Sequence, residues 1–322
     1  MPSISDIAKQ VGVSKASVSL YLSDPNTSRV GQETKRRIDA AVEELNYRPH
    51  MMARGLSSKR TGIIGVMIPY NGALFRSTFV NEVLSGIQTE LFRNGYSMMF
   101  LPTKGEDSPT MVRNQLQVAH GYDGLILFGT RYCRYEDLAR NIDQLCEADM
   151  PFAVVNMPEM PKDINQVILP TAATASQSPI HYLLQTGHRE IVIIAGRQGN
   201  PETDDTVDHY REALERYGVS GHNARVLYGD FERDIARSEV LRALKRGVQF
   251  TAIYAMTDTM AAGAYEALAE WNLSVPDDVS VIGTNDSFFS AHMAPPMTTL
   301  RKPLFAGGEE VARLLLRTLH TG

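Results

Sequence analysis

From residue 62 onward, short apolar runs alternate with longer stretches in which apolar residues recur every three or four positions. The apolar runs are predicted strands, at 62–68, 96–101, 123–128, 151–156, 189–195, 251–256 and 279–284. The stretches between and after them are predicted helices, among them 79–94, 172–186, 206–217, 258–271 and 304–320. Strands that alternate with helices build parallel sheets covered by helices on both faces, so we predict an α/β fold here.

The size and composition of the chain exclude several classes of protein. Its 322 residues are too many for one hydrophobic core. No apolar run approaches the roughly 18 residues that span a bilayer, and the N-terminus lacks the pattern of a signal peptide. Cys133 and Cys146 have no metal-ligand spacing around them. We therefore expect a cytoplasmic protein with reduced thiols, no cofactor, no metal and no membrane partner.

Charge is divided unevenly along the chain. Residues 1–60 contain ten Lys and Arg against six Asp and Glu, a net charge of +4. The chain as a whole carries −5, so the other 262 residues carry −9. A basic segment joined to an acidic remainder is expected to bind a polyanion at one end only.

The first 48 residues have the pattern of three short helices. Ser3 and Asp6 have the spacing of a capping box, Gly12 can end the first helix, and Ser14 can cap the second. A third helix is predicted over 32–45. Two short helices joined by a turn with glycine form a helix-turn-helix unit, although periodicity alone equally fits a small bundle that does not bind DNA.

Several motifs closely resemble the LacI/GalR repressor family. In the first part of the chain they are SDIAK at 5–9, GVSKASVS at 12–19, ELNYRP at 44–49, ARGL at 53–56 and KRTGIIG at 59–65. Farther on they are DGLI at 123–126, TGHREI at 186–191, VPDDVSVIG at 275–283 and PPMTTL at 295–300. The resemblance covers nearly the whole chain and keeps the order and spacing of the family.

The resemblance implies an organisation in three parts. They are a small all-α helix-turn-helix headpiece at 1–48, a linker at 49–60, and a regulatory and dimerisation body at 61–322. The body is expected to consist of two doubly wound α/β lobes of periplasmic-binding-protein type. One lobe is expected to take 61–158 with 292–322, and the other 159–291. The family usually continues through a final strand, so the given chain is expected to be truncated or to lack that strand.

The resemblance also implies which residues contact DNA. The second helix would lie in the major groove, with Lys15 and Ala16 facing base edges. Ser17 and Ser19 would lie near phosphates. The family commonly has a base-reading Arg where this chain has Leu20, so the half-site should differ there unless Leu20 is simply buried. The other expected contacts are Ser5, Ser14, Arg29, Tyr47, His50, Ala53 and Arg54.

The linker is expected to fold only on DNA. Its helical run is too short to persist alone in water, and the resemblance places Leu56 as the residue that wedges into the minor groove. Packing of Leu56 within the linker is the alternative.

The expected effector site departs from the pattern of sugar-binding relatives. Thr206 replaces a ring-clamping Arg, and Pro170 and Asn156 replace aspartates. Thr257 and Asp258 stand where Asn-Asp is usual, and Asn285 where the first Asp of an Asp-Asp pair is usual. Either the cleft takes a less polar small molecule, with Phe75, Arg76 and Phe128 also lining it, or it has lost its small ligand and the body docks a partner.

We find no catalytic constellation and expect no enzyme activity. His188 lies in a helix-to-strand turn, where a structural role is expected, and Asp204 and Asp205 have no nucleophile near them in sequence. The function that the resemblance implies is a homodimeric repressor of a metabolic, carbohydrate-type operon that binds a pseudo-palindromic operator. A solute-binding protein would share the body but lack the headpiece.

Overall fold

The structure is a computed structural model that describes residues 2–23, 25–47, 60–69, 74–103, 111–116, 121–129, 135–156, 164–169, 178–219 and 225–321. The chain divides into two compact units. The first contains Met1–Ile63 and Val118–Asp123, and the second contains Ile64–Gln117 and Gly124–Gly322.

The first unit contains three helices, as the sequence predicts. They are α1 (Ile4–Val11), α2 (Lys15–Ser23) and α3 (Gln32–Glu44). One apolar cluster joins them, and its buried members are Ile7, Ala8, Val11, Val18, Tyr21, Val30, Ile38, Ala41 and Tyr47. Because these side chains come from all three helices, their packing fixes how each helix is rotated about its own axis and which of its faces is buried.

The predicted helix ends are confirmed. Ser3 donates from its N–H and its hydroxyl to Asp6 Oδ2, both at 2.8 Å, and these bonds lower the pKa of the Asp6 carboxyl. Gly12 takes a φ of 73° at the end of α1. Ser14 Oγ accepts from the N–H of Ser17 at 3.1 Å, so it caps α2.

Polar side chains also fasten the three helices together. Tyr21 donates its hydroxyl to the Asp39 carboxylate, which links α2 to α3. Lys35 Nζ lies 2.7 Å from the carbonyl oxygen of Pro25. Arg37 donates to the carbonyl oxygen of Val11, where a cation offsets the negative end of α1.

The second unit contains two five-stranded sheets. The first sheet has the order β2-β1-β3-β4-β5, with strands β1 (Ile63–Pro69), β2 (Ser97–Thr103), β3 (Gly124–Phe128), β4 (Phe152–Val155) and β5 (Gln166–Val167). Its helices are α4 (Thr78–Arg93), α5 (Met111–Leu116) and α6 (Tyr135–Glu147). Strands β1, β3, β4 and β5 pair in parallel.

The second sheet has the order β10-β9-β8-β6-β7, and its pairs are parallel. Its strands are β6 (Ile191–Ala195), β7 (Arg225–Tyr228), β8 (Ala252–Ala255), β9 (Ser280–Thr284) and β10 (Thr298–Leu300). The helices of this part are α7 (Pro179–Gln185), α8 (Pro201–Arg216), α9 (Arg233–Lys245) and α10 (Asp258–Glu270). The last helix, α11 (Leu304–Thr321), packs on the first sheet.

The chain crosses between the two sheets later in the sequence than expected. β5 pairs with β4, so the first sheet extends past the expected boundary at 158. β10 pairs with β9, so the second sheet extends past the expected boundary at 291. Both strands were missed because two or three residues are too few to show a strand pattern. The chain therefore returns from the second sheet to α11 through residues 301–303.

Other elements also differ from the prediction. α8 begins at Pro201 rather than at 206, because Asn200 caps it and Pro201 suits the first helical position. β7, α5, α6 and α9 were not predicted. Among the described residues, no helix is both long and apolar enough to cross a bilayer.

Candidate nucleic-acid interface and effector site

The start of α2 presents two predicted base-reading residues to solvent. Lys15 and Ala16 are exposed, whereas Val18 and Tyr21 of the same helix are buried in the headpiece core. The burial of one face therefore fixes which residues face outward. A lysine ammonium donates to guanine O6 or N7 and an alanine methyl contacts a thymine methyl, so this surface has groups that can read bases.

The serines expected near phosphates are placed around that helix start. The hydroxyl oxygens of Ser14 and Ser17 lie 2.9 Å apart, so they hydrogen-bond to each other. Ser5 and Ser19 are partly exposed. Leu20 packs partly against the headpiece core, which favours the alternative that it fills space at this position.

Arg29 and Tyr47 have contrasting positions. Arg29 is exposed, as a phosphate contact requires. Tyr47 is only 8% exposed, and its N–H donates to the carbonyl oxygen of Val42 at 2.9 Å. The structure thus gives Tyr47 a packing role, and its expected DNA contact stays a prediction. His50, Ala53, Arg54 and Leu56 lie outside the described residues.

Not every cation of the headpiece is free to meet a polyanion. Lys35 is buried against Pro25, and Arg37 is bonded to the end of α1. Lys9, Lys15 and Arg36 are exposed. Lys35 is therefore not available for direct contact with a phosphate, although its charge still adds to that of the headpiece.

Four predicted effector residues lie at or after the ends of strands in the first sheet. Phe75 and Arg76 are exposed in a short 3-10 helix at Leu74–Arg76. Asn156 is partly buried with a φ of 63°, and its Nδ2 donates to the carbonyl oxygen of Gly129 at 3.2 Å. Phe128 is fully buried and meets Phe79 edge-on, so its expected place as a lining residue is corrected: it belongs to the core.

Asp258 is buried beyond the end of β8. Its carboxylate accepts from the N–H of Ser287 at 2.6 Å and from the Thr299 hydroxyl at 2.5 Å. Burial raises the pKa of the Asp258 carboxyl, and these hydrogen bonds oppose the rise. Thr257 Oγ1 accepts from the N–H of Met260 at 3.2 Å and caps α10. Both residues thus have structural partners within the chain.

Asn285 differs from these two residues. It is 7% exposed, has a φ of 107°, and donates its N–H to the carbonyl oxygen of Leu300 at 2.8 Å. Its side-chain Oδ1 is buried without a hydrogen-bond partner among the described residues. A buried acceptor of this kind is costly unless a partner satisfies it, so this oxygen is a candidate for ligand binding.

Sequence reasoning missed an ion pair beside Thr206. Thr206 Oγ1 donates to the carbonyl oxygen of Glu202 at 2.7 Å, and the Glu202 carboxylate lies 2.9 Å from Lys302 Nζ. Tyr254 is buried at the end of β8, and burial raises the pKa of its hydroxyl. The negative charge of Glu202 adds to that rise. The only signal in the sequence was a lysine between PPMTTL and the final helix.

The residues that were expected to have structural rather than catalytic roles make contacts within the chain. His188 Nδ1 lies 2.9 Å from Thr251 Oγ1, which ties the turn before β6 to the residue before β8. Asp204 accepts from the N–H of Gly199, and Asp205 is exposed. In the part of the chain that the structure describes, no group of three metal-binding side chains comes together.

Comparison with known proteins covers both units. A profile of bacterial regulatory proteins of the lacI family matches residues 3–50, and a profile of periplasmic binding protein-like domains matches residues 180–322. The HTH-type transcriptional repressor PurR of Vibrio atlanticus is 26% identical over 99% of this chain and 92% of its own length. The ribose operon repressor of Escherichia coli K12 is 28% identical over 99% of this chain and 93% of its own length.

Solved structures agree with these relatives. A complex of the transcriptional regulator CelR with cellobiose superposes with a TM-score of 0.70 at 26% identity, covering all of this chain and 94% of the other. The lac repressor dimer bound to operator and an anti-inducer gives a TM-score of 0.84 at 24% identity, with 99% and 93% covered, which supports the fold. The relatives are transcription regulators rather than enzymes, as the sequence predicts. Residues 3–50 thus match the lacI family of bacterial regulatory proteins, and the whole chain is similar to DNA-binding transcriptional repressors.

Proposed function

We propose that the chain acts as a cytoplasmic homodimer that binds a pseudo-palindromic operator and represses a metabolic, carbohydrate-type operon. The observation that supports this most directly is the exposed start of α2, where Lys15 and Ala16 face solvent while Val18 and Tyr21 hold the helix in place. Two copies related by a twofold axis would read two half-sites related by the same axis.

The contacts divide into those that read bases and those that position the protein. Lys15 and Ala16 are proposed to read base edges in the major groove. The positioning contacts to phosphate and sugar are proposed to come from Ser5, Ser14, Ser17, Ser19, Arg29 and Tyr47. Leu20 would contribute apolar contact at most, because part of it packs on the core.

The linker is proposed to complete the complex through His50, Ala53, Arg54 and Leu56. A leucine wedge from each subunit would unstack one base step and kink the duplex. Leu56→Ala should then weaken operator binding far more than binding to non-specific DNA. Equal losses on both DNAs would show that no wedge is inserted.

A small-molecule effector is proposed to bind near Asn285. Its support is the buried Oδ1 of Asn285, which has no partner among the described residues. Because Thr206, Pro170 and Asn156 replace residues that hold sugars in relatives, we propose a small metabolite less polar than the cellobiose of the CelR complex. Such a ligand would change operator affinity only by binding two conformations unequally.

A second proposal is that the site has lost its small ligand. Asp258 and Thr257 both have partners within the chain, so they offer fewer free groups to a ligand. The body would then serve as a dimerisation and partner-docking platform.

Calorimetry with sugars, nucleosides and polar metabolites separates these two proposals. A micromolar ligand whose affinity collapses in Asn285→Ala, but not in the exposed control Gln185→Ala, supports the effector site. Binding of none of the ligands, together with capture of a protein partner, supports the second proposal.

Genomic footprinting with the full chain tests the repressor proposal itself. We expect a few strongly protected sites, each with twofold symmetry, upstream of metabolic genes. Protection without sequence preference would contradict the proposal.

A further inference from the structure

One carboxylate holds the residues that enter the first strand. Asp123 Oδ1 accepts from the N–H of Thr61 at 2.5 Å and from the Thr61 hydroxyl at 2.8 Å. Asp123 Oδ2 accepts from the N–H of Gly62 at 2.9 Å. In the other direction, the N–H of Asp123 donates to the carbonyl oxygen of Ile63 at 2.8 Å. We call Asp123, Thr61 and Gly62 the entry clasp.

The entry clasp lies where two neighbouring strands begin. Gly62 precedes β1 and Asp123 precedes β3, and these strands pair in parallel from Ile64 and Gly124 onward. Gly62 has a φ of 71°, which other residues seldom adopt, so the clasp also depends on glycine at this position. A short carboxylate side chain at 123 is what brings the three donors to one point.

The entry clasp adjoins the linker at 49–60. Thr61 is the residue that follows this range, and its N–H and its hydroxyl both donate to Asp123 Oδ1. Whatever path the linker takes on DNA, the residues that follow it are therefore held by Asp123.

We propose that Asp123 is a positioning residue for operator binding. It holds Thr61 and Gly62, the residues that follow the linker, in one place. When the linker becomes helical on the operator, these residues are therefore already ordered. The inference rests on the proposed function, because it concerns how well the headpiece and linker bind an operator. Asp123 itself is not expected to touch DNA.

The physical reason is conformational entropy. Residues that are already held when the protein is free need not be ordered when it binds. If Thr61 and Gly62 lose their anchor, their backbone freedom must be removed on binding in each subunit. Fixing one residue is unfavourable enough that we expect operator affinity to fall about tenfold or more.

The test is operator affinity of the full chain as Asp123→Asn. Asparagine keeps the size of the side chain but replaces one of the two accepting oxygens with an amide N–H₂, so the clasp loses the hydrogen bonds to that oxygen. The expected result is about a tenfold loss on the operator and no change on non-specific DNA. The matched control is Asp278→Asn, which makes the same change at a carboxylate that accepts from the N–H of Ser274 in the loop before β9.

A second variant separates positioning from a merely structural role. Two glycines inserted between Ser58 and Lys59 uncouple the linker from its anchor. In that background Asp123→Asn should change operator affinity by less than about twofold, because coupled changes are not additive. A loss of body stability would instead lower affinity by the same factor in both backgrounds, and that result would overturn the proposal.

A milder variant covers the case in which Asp123→Asn does not fold. Thr61→Val removes the hydroxyl, which donates to Asp123 and accepts from the N–H of Ile63, and Thr61→Ser keeps it. We expect about a threefold loss in the valine variant and none in the serine variant. Equal affinity of both with the unaltered chain would overturn the inference while operator binding itself stood. If the unaltered chain shows no operator preference, the proposed function fails first, and the inference fails with it.

Discussion

Lys302 and Glu202 form an ion pair that joins two segments separated by 100 residues, with 2.9 Å between Nζ and Oε1. Lys302 lies between β10 of the second sheet and α11, which packs on the first sheet. Glu202 lies in the first turn of α8. The pair therefore ties one connection between the two sheets to a helix of the second lobe.

The two partners of this pair should not be equally costly to replace. The Lys302 side chain is 8% exposed and the Glu202 side chain is 31% exposed. Glu202→Gln leaves a buried ammonium unpaired and should lower the free energy of unfolding by about 3 kcal/mol. Lys302→Met leaves a carboxylate that water can reach and should cost about 1 kcal/mol. Chemical denaturation measures both.

The double variant and an exposed pair complete that experiment. Glu202→Gln combined with Lys302→Met should recover most of the loss, because no unpaired charge remains. Asp208→Asn, which breaks the exposed pair with Arg211, should stay within about 0.5 kcal/mol of the unaltered chain. Equal losses for the two single variants would contradict the account of burial.

Lys15 should affect one position of the operator. Lys15→Ala is expected to weaken binding by about 1–3 kcal/mol, with the loss confined to one base pair of each half-site. Lys9→Ala removes an exposed lysine of α1 and should weaken binding to all sequences alike. Binding measured across operators with single base changes distinguishes the two patterns. A uniform loss in the Lys15 variant would assign it to phosphate contact.

His181 predicts a dependence of stability on pH. Its ring centroid lies 5.2 Å from that of His209. Burial lowers the pKa of His181, and positive charge at His209 and Arg216 adds to the effect. Because the pKa in the fold is below the unfolded value of 6.5, the stability contribution is present above pH 6.5 and is lost as pH falls through the lowered pKa.

The measurement is the free energy of unfolding from about pH 7 to about pH 5.5. We expect it to fall as pH falls, and to fall less steeply in His181→Asn. His320→Asn, at the exposed end of α11, is the control and should leave the slope unchanged. An identical slope in the His181 variant would contradict this prediction.

Gly308 should resist substitution although it lies in a helix. A Cβ at Gly308 of α11 would overlap the carbonyl oxygen of Val83 in α4, so the two helices require glycine to pack this closely. Gly308→Ala should cost about 1–3 kcal/mol from overpacking, instead of the gain of about 1 kcal/mol that alanine usually gives in a helix. Gly307→Ala meets only the side-chain end of Leu169, which can move, and should cost less. A stabilised Gly308 variant in thermal unfolding would show that the helices are farther apart.

The sequence predicted the elements whose patterns are local. Gly12, Ser14 and the apolar face of α2 are signals within a few residues, and the structure confirms them. Long apolar runs likewise located seven strands. β5 and β10 were missed because their assignment depends on pairing with distant strands rather than on their own residues.

The residues of the candidate site also divide into those that the sequence could predict and those whose contacts depend on distant residues. Asp258 and Asn285 were expected at the effector site from the family resemblance, and the structure places them after the ends of β8 and β9. Phe128 was misplaced, since a residue at a strand end can turn into the core as readily as into a cleft. The partner of Lys302 could not be foreseen, because no local pattern links residues this far apart in the chain.

Selection of DNA from a random pool by the full chain tests the central claim most directly. We predict a twofold-symmetric consensus, and we predict that Lys15→Ala changes one position in each half of it. Recovery of DNA without any shared sequence, from both the unaltered chain and the variant, would contradict the account of α2 as the reading helix.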